Sequence, residues 1–227
     1  MLGEGAVMIR ILLFLFLMTL AGPVFAGAWL REQNTGFVAA AITGFRTEDG
    51  SYEYKSSLYA EWGLRPGLTI GLDAEEHQHL YGHALIFAGT PVADLGRKGR
   101  FAAEFGVGAH HRQKSAWALY KATVSYGNGF ESGWGNGWIA IDAALEYRTH
   151  DALFRKLDLT AGLSSQRWIN PLLQLESTYT PGRPVYWSAR PSVMIRRKGG
   201  STTWVVGAER NAFQSNVGIK FALWRDF

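Results

Sequence analysis

The residues best equipped for chemistry in this 227-residue chain are its six histidines and their acidic neighbours. Glu75, Glu76, His77, His79 and His83 fall in one short run. In an extended strand, side chains two apart share a face, so His77 and His79 with a carboxylate would present imidazole and oxygen donors to a transition metal. The same run also reads as a polar outer loop. His77 and His79 are therefore metal candidates on spacing alone, and no metal or other cofactor is expected. His110 and His111 are adjacent and point to opposite faces of a strand, which prevents joint ligation. His150-Asp151 at another loop has the residue types of an Asp/His protease dyad, a pair that also occurs commonly by chance. A serine hydrolase needs a hydroxyl, an imidazole and an orienting group in reach of one another. Gln214-Ser215-Asn216 offers a Ser–Asn pair with no His two residues before the Ser. The chain has no cysteine, which excludes disulfides, thiolate metal sites and thiol nucleophiles. No catalytic residue is assigned.

The remaining charged residues share a spacing. Glu53, Lys55, Glu61, Asp73, Glu104, Lys121, Asp142, Glu146, Arg148, Asp158, Glu176, Arg190 and Lys220 sit at every second position of segments whose intervening positions are apolar. Tyr52, Tyr54, Leu58, Ala60, Trp62 and Leu64 alternate with Glu53, Lys55, Ser57 and Glu61; Ile139, Ile141, Ala143, Leu145 and Tyr147 alternate with Asp142, Glu146 and Arg148. Period-2 alternation over segments of about ten residues, separated by turn signals such as Arg65-Pro66-Gly67, is the pattern of a transmembrane β-barrel with an apolar outside and a polar lumen. Two segments, 35–46 and 80–88, are apolar with little alternation and are read as strands by position and length. The total is about twelve strands, with ten as the alternative, an even number as a barrel with both ends on one side requires. Pro171 and Pro191 fall inside or at the ends of strands and are the weak points of this reading, because proline cannot donate to a ladder.

This assigns the all-β class and an antiparallel up-and-down barrel as one domain over 27–227. Mean hydropathy is near zero, which a barrel permits because its two faces average out. The formal charge of +4 comes with no long basic run, so nucleic acid is not an expected partner. Tyr52, Trp62, Tyr126, Tyr147, Tyr179 and Trp187 near strand ends read as interfacial girdles, with carbohydrate stacking as the alternative use.

The first 26 residues read as an export signal. Arg10 precedes the apolar run Ile11 to Leu20, Ala21-Gly22-Pro23 breaks the helix, and Val24-Phe25-Ala26 places the cut after Ala26. The run is shorter than the roughly 20 residues of a membrane span.

The chain closes with Val217-Gly218-Ile219-Lys220-Phe221-Ala222-Leu223-Trp224-Arg225-Asp226-Phe227. A terminal Phe227 with Leu223, Phe221, Ile219 and Val217 at alternate positions resembles the C-terminal signal of bacterial outer-membrane barrels; Arg225 stands where an apolar residue is usual. The resemblance implies recognition by the barrel-assembly machinery and residence in the outer membrane, among its lipid and lipopolysaccharide. Gly27-Ala28-Trp29, Ser57 to Leu64 and Leu68 to Leu72 around Arg65-Pro66-Gly67 resemble small outer-membrane proteins grouped with transporters, some of them linked to aromatic-compound degradation. That likeness covers about the first third of the mature chain and implies a narrow channel or uptake pore for small solutes. Two other expectations stay open: a closed structural or binding barrel acting through outer loops such as Gln78 to His83, and an outer-membrane enzyme acting on lipid or peptide. The last requires a serine or acid in hydrogen-bond reach of a rim histidine.

Overall fold

The computed structural model describes residues 28–78, 80–165 and 167–227. The signal peptide expected over 1–26 lies outside those residues, and so does His79. Twelve strands follow one another with short turns: β1 (Gly36–Arg46), β2 (Tyr52–Arg65), β3 (Leu68–His77), β4 (Tyr81–Asp94), β5 (Arg100–Arg112), β6 (Ser115–Ser132), β7 (Gly135–Arg148), β8 (Leu153–Ser164), β9 (Ile169–Tyr179), β10 (Tyr186–Arg196), β11 (Thr202–Asn211) and β12 (Gln214–Asp226). Each pairs antiparallel with its sequence neighbours, and β1 pairs with β12, so the sheet is a closed up-and-down barrel. Closure leaves no unpaired edge, which is what a sheet in hydrocarbon requires.

Alternation decides which side faces what. Ile86, Phe105, Val124, Leu145, Leu157, Ile219 and Phe221 are exposed on the outer face. Their inward neighbours Leu85, Ser125, Glu146 and Lys220 are buried. A continuous apolar exterior of this extent on a soluble protein would drive association; around a barrel it is the lipid-facing band. Exposed aromatics collect near both mouths. Tyr52, Tyr147, Tyr179 and Trp187 ring the mouth away from the termini, and Trp62, Trp134, Trp168 and Phe227 ring the mouth that carries them.

Both segments read as strands on position are strands, β1 and β4. In β4 the apolar residues do face both ways: Leu85 and Phe87 are buried inside while Ile86 is exposed outside. The two prolines are tolerated because pairing lapses beside them. The β8–β9 ladder ends at Leu172, one residue before Pro171. Between β10 and β11 the register runs Ala189↔Arg210 and then resumes at Ser192↔Gly207, skipping Pro191 and Arg190. Pro66-Gly67 makes the two-residue β2–β3 turn, with Gly67 at φ 75° as that tight turn demands. In the β1–β2 turn the Asp49 carboxylate accepts from Thr47 Oγ1 and from the Ser51 amide and hydroxyl. Those bonds, the one from Thr47 foremost, draw its pKa down to about 2.

The last strand closes the ring through Phe37↔Asp226 to Gly44↔Ile219. The Gly36 amide donates to the Phe227 carbonyl at 2.6 Å and the Phe227 amide returns the bond to Gly36 at 3.0 Å. The Phe227 ring lies 5.7 Å from Trp62, ring centre to ring centre.

Candidate functional site: a filled lumen with two mouths

Alternation points most polar side chains of the twelve strands inward, and the curvature of the wall brings distant strands within reach of one another. Lys55 on β2 bonds Glu209 on β11 at 2.5 Å. Arg190 on β10 reaches Glu209 at 3.5 Å and bonds Glu176 on β9. Lys121 on β6 bonds Asp73 on β3 at 3.1 Å, and His83 on β4 stands 3.6 Å from the same carboxylate. Glu146, fully buried, is held by Arg148 at 2.6 Å and Lys156 at 3.2 Å. Lys220 donates to the Gln174 amide oxygen at 2.7 Å. Several of these bonds join strands that are not neighbours, so they cross the lumen and fill it.

Apart from Lys220, which bonds the Gln174 amide, the charged positions singled out from sequence separate into two groups. Lys55, Glu61, Asp73, Lys121, Glu146, Arg148, Glu176 and Arg190 stand in ion pairs. Glu53, Glu104, Asp142 and Asp158 have no ion-pair partner among the described residues. Asp142 and Asp158 are register partners on β7 and β8, and each keeps one buried carboxylate oxygen without a hydrogen bond.

Sequence alternation did not show how much of the inner face is apolar. Trp138, Ala140, Leu172, Met194, Val205 and Ala222 form one buried cluster, with Trp29, Ala41 and Trp224 packed on it. Leu85, Phe87 and Leu119 form a second, with Tyr59 against them. Inward Trp138 and Leu172 lie at the ends of alternating runs and inward Val205 lies within one, where the phase could have been read.

The larger omission is the segment before β1. Residues 28–35 turn back into the terminal mouth. Ala28 is 5% exposed. Trp29 packs against the Trp138 cluster and occupies the space in which a side chain on Gly127 would lie. Leu30 stands 3.1 Å from where a Cβ on Gly89 would lie, beside the Glu104 side chain at 3.0 Å, so Gly89 gives it room without being filled by it. Arg31 donates to Glu61 at 2.7 Å, places its guanidinium 4.7 Å over the Phe37 ring and stands 3.7 Å from Asp226. Its amide bonds Thr69 Oγ1 at 3.0 Å. Glu61 is 2% exposed and accepts a second bond from the Tyr59 hydroxyl at 2.6 Å. Gly63 sits where the β2–β3 register shifts, and a Cβ there would collide with the backbone carbonyls of Arg31 and Glu32. Three glycines on three strands therefore leave the groove in which this segment lies.

Two spaces are left among the described residues. A cavity of about 20 Å³, room for one water, lies among Tyr59, Asp73, Phe87, Glu104, Lys121 and Thr123. A larger pocket of about 160 Å³ opens at the far mouth, walled by the first and last turns of β1–β4 and β10–β12.

The histidines do not sit in a loop as expected. Glu75, Glu76 and His77 end β3 and His83 lies on β4, because the connection is only residues 78–80. Alternation then splits the group. His77 faces inward and bonds Glu75 at 2.8 Å, whereas Glu76 faces outward. The Glu76 carboxylate bonds the outward His111 of β5 at 2.7 Å across Gly82. No metal-ligating cluster forms among the described residues. His110 faces inward and contacts the Thr149 carbonyl at 3.1 Å. Asp151, next to His150, bonds Arg183 at 2.5 Å. Acid–imidazole pairs are thus present at the rim, as the enzyme expectation required. Among the described residues none of them has a serine or threonine hydroxyl in hydrogen-bond reach to serve as nucleophile.

No protein family and no curated protein matches the chain by sequence. By three-dimensional structure it is similar to the KdgM porin, with a TM-score of 0.59, 10% identity, and coverage of 84% of this chain and 99% of that one. A second structure of that porin holds disordered oligogalacturonate. The chain is also similar to the COG4313 outer membrane channel from Pseudomonas putida F1, with a TM-score of 0.55, 10% identity and coverage of 91% and 100%. The beta domain of the Bordetella autotransporter Brka follows, with a TM-score of 0.50, 13% identity and coverage of 86% and 99%. The fold is that of bacterial outer-membrane β-barrels. It is shared by a porin, a channel and an autotransporter domain, so function has to be argued from the lumen itself.

Proposed function

We propose that this protein is a narrow outer-membrane channel for small solutes, closed at its terminal mouth by residues 28–35. The observation that carries the reading is how the lumen is stopped. The terminal mouth is blocked by a separate stretch of chain, seated in a groove made by Gly63, Gly89 and Gly127 and held by the Arg31–Glu61 pair. A barrel built only to be solid would fill that groove with side chains from its own strands. Withdrawal of the segment removes Trp29 from the apolar cluster and admits water to Glu61. Beyond it the charged lumen side chains, on flexible stems, can exchange their partners for a passing solute. The KdgM porin and the COG4313 channel supply the architectural precedent.

The same reading places the mature chain in the outer membrane of a Gram-negative bacterium after export and cleavage behind Ala26. Phe227 is its assembly signal, and lipid and lipopolysaccharide are its surroundings. The test is single-channel recording of the folded protein in planar bilayers beside a form lacking residues 28–34. Brief or rare openings in the full protein and sustained conductance in the shortened one are expected; silence from both refutes the channel.

One observation favours a second reading, the closed structural barrel. The pairs Lys55–Glu209 and Lys121–Asp73 cross the lumen. Under that reading removing residues 28–34 leaves the barrel non-conducting.

A further inference from the structure

The far-mouth pocket is lined by aromatic residues from three parts of the barrel. Phe45 is 5% exposed and fixed in the β1 wall. Tyr81 stacks on His77, with centroids 4.2 Å apart and planes 19° from parallel. Tyr186 and the turn residue Phe213 pair at 5.2 Å and 40°. These rings surround about 160 Å³, the size of a compact molecule of roughly ten heavy atoms. Rings held by neighbouring rings lose little freedom when a ligand is bound.

The charge of the pocket decides which ligand suits it. Lys55, its one lysine, is committed to Glu209 at 2.5 Å. Glu53, its one carboxylate, has among the described residues only the Gln214 side-chain amide as partner, at 2.5 Å. An aromatic enclosure with one unmatched carboxylate is the chemistry that recognises an ammonium group, through ring quadrupoles and a single opposite charge. The two side-chain amides are partly taken: the Asn211 oxygen already accepts from the Phe213 and Gln214 amides, and Gln78 already donates to the Tyr52 carbonyl. The Tyr54, Tyr81 and Tyr186 hydroxyls also line the pocket, which makes a sugar the competing ligand for the test to reject.

The lumen behind the pocket has the same imbalance. Glu104, Asp142 and Asp158 face inward without an ion-pair partner among the described residues, against Lys220 as the lysine bonded only to an amide. Asp142 and Asp158 lie side by side, an arrangement that a cation between them would relieve. Carboxylate-lined walls favour cations in a narrow pore.

We infer that the far-mouth pocket binds a small organic cation, an ammonium group on a compact apolar body, received there by Glu53 and the surrounding rings. That such cations then pass inward rests on the channel reading; their binding does not.

The two are tested separately. Binding is measured by calorimetry on the full folded barrel in detergent, with choline and its neutral isostere 3,3-dimethylbutanol, benzylamine and benzyl alcohol, benzoate, and methyl glucoside. Each ammonium compound should bind at least tenfold more tightly than its neutral counterpart, and benzoate and the glucoside should bind no better than the neutrals. Glu53→Gln should abolish the tenfold preference. Phe213→Ala, on an exposed turn where folding is unaffected, should weaken both ammonium compounds several-fold. Equal affinity for choline and dimethylbutanol, preference for benzoate or the glucoside, or an undiminished preference in Glu53→Gln overturns the inference. Passage is read separately, as block of conductance by choline from the side facing the pocket. A barrel that binds choline through Glu53 but never conducts upholds the site and refutes the channel.

Discussion

Replacing Arg31 by Met should unlatch the terminal mouth. The guanidinium is 10% exposed and its partner carboxylate on Glu61 is 1% exposed, so this is a buried pair. Met retains most of the aliphatic stem, and removes the charge together with the guanidinium's contact on the Phe37 ring. Removing one member of such a pair costs roughly 3–5 kcal/mol, because the other charge is left buried and uncompensated. Glu61 would keep only the Tyr59 hydroxyl, and Asp226 would keep Arg196 at 3.9 Å. Withdrawal of the segment lets water reach Glu61 in wild type and variant alike, so the lower end of the range applies. About 3 kcal/mol, at about 1.4 kcal/mol per tenfold, lowers the ratio of seated to withdrawn segment by roughly a hundredfold. The assays are the open fraction in single-channel recordings and the rate at which chymotrypsin cleaves at Trp29 or Leu30 of the membrane-embedded protein. Glu61→Gln should shift both in the same direction by less, since Arg31 keeps Asp226. An Arg31→Met protein with the wild-type open fraction and wild-type protection from protease would refute the latch. If deletion of 28–34 still opened the pore, the segment would be a plug held by Trp29 and Leu30 instead.

Other outcomes follow from the same geometry. Gly127→Leu places a side chain where the Trp29 ring lies, and should expel the segment; a red shift of tryptophan emission and faster cleavage of the N-terminus are expected, and an unchanged spectrum would show that the groove is not needed. Ile86→Arg sets a charge on the outer face near the middle of β4, and should lower stability in lipid vesicles by about 2–4 kcal/mol, measured by urea unfolding; a loss below about 0.5 kcal/mol would mean that this face does not meet lipid. Glu209→Gln strips one partner from both Lys55 and Arg190 in the buried network, and should cost about 3 kcal/mol or more in the same assay. Phe227→Ala keeps the backbone bonds to Gly36 and removes a ring that is 58% exposed. Its effect on equilibrium stability should be under about 1 kcal/mol, while the heat-modifiable folded fraction in cells falls sharply. Normal assembly with Ala at the terminus would reject its role as a signal.

The sequence alone was enough to determine the all-β class, about twelve strands, the faces of the ten segments that alternate and the closing role of β12. These follow from a local rule: side chains alternate with period 2, and a chain must satisfy every backbone group when one face meets lipid. The prolines illustrate the limit of that rule. Pro191 looked like a defect, and the structure accommodates it by skipping one stretch of the β10–β11 register. What only the tertiary structure decided is what meets inside. Lys55 and Glu209 are 154 positions apart, and Arg31 and Glu61 are 30 apart; their contacts depend on closure and on the stagger of strands around the ring, which no local pattern encodes. The same holds for the inward aromatics that enclose the far-mouth pocket. It holds most of all for residues 28–35, whose sequence carries no periodicity and whose position is set by the absence of side chains on Gly63, Gly89 and Gly127. A glycine in a strand reads as a weak spot when taken alone; on a curved wall, three of them are the imprint of a segment that lies elsewhere in the chain.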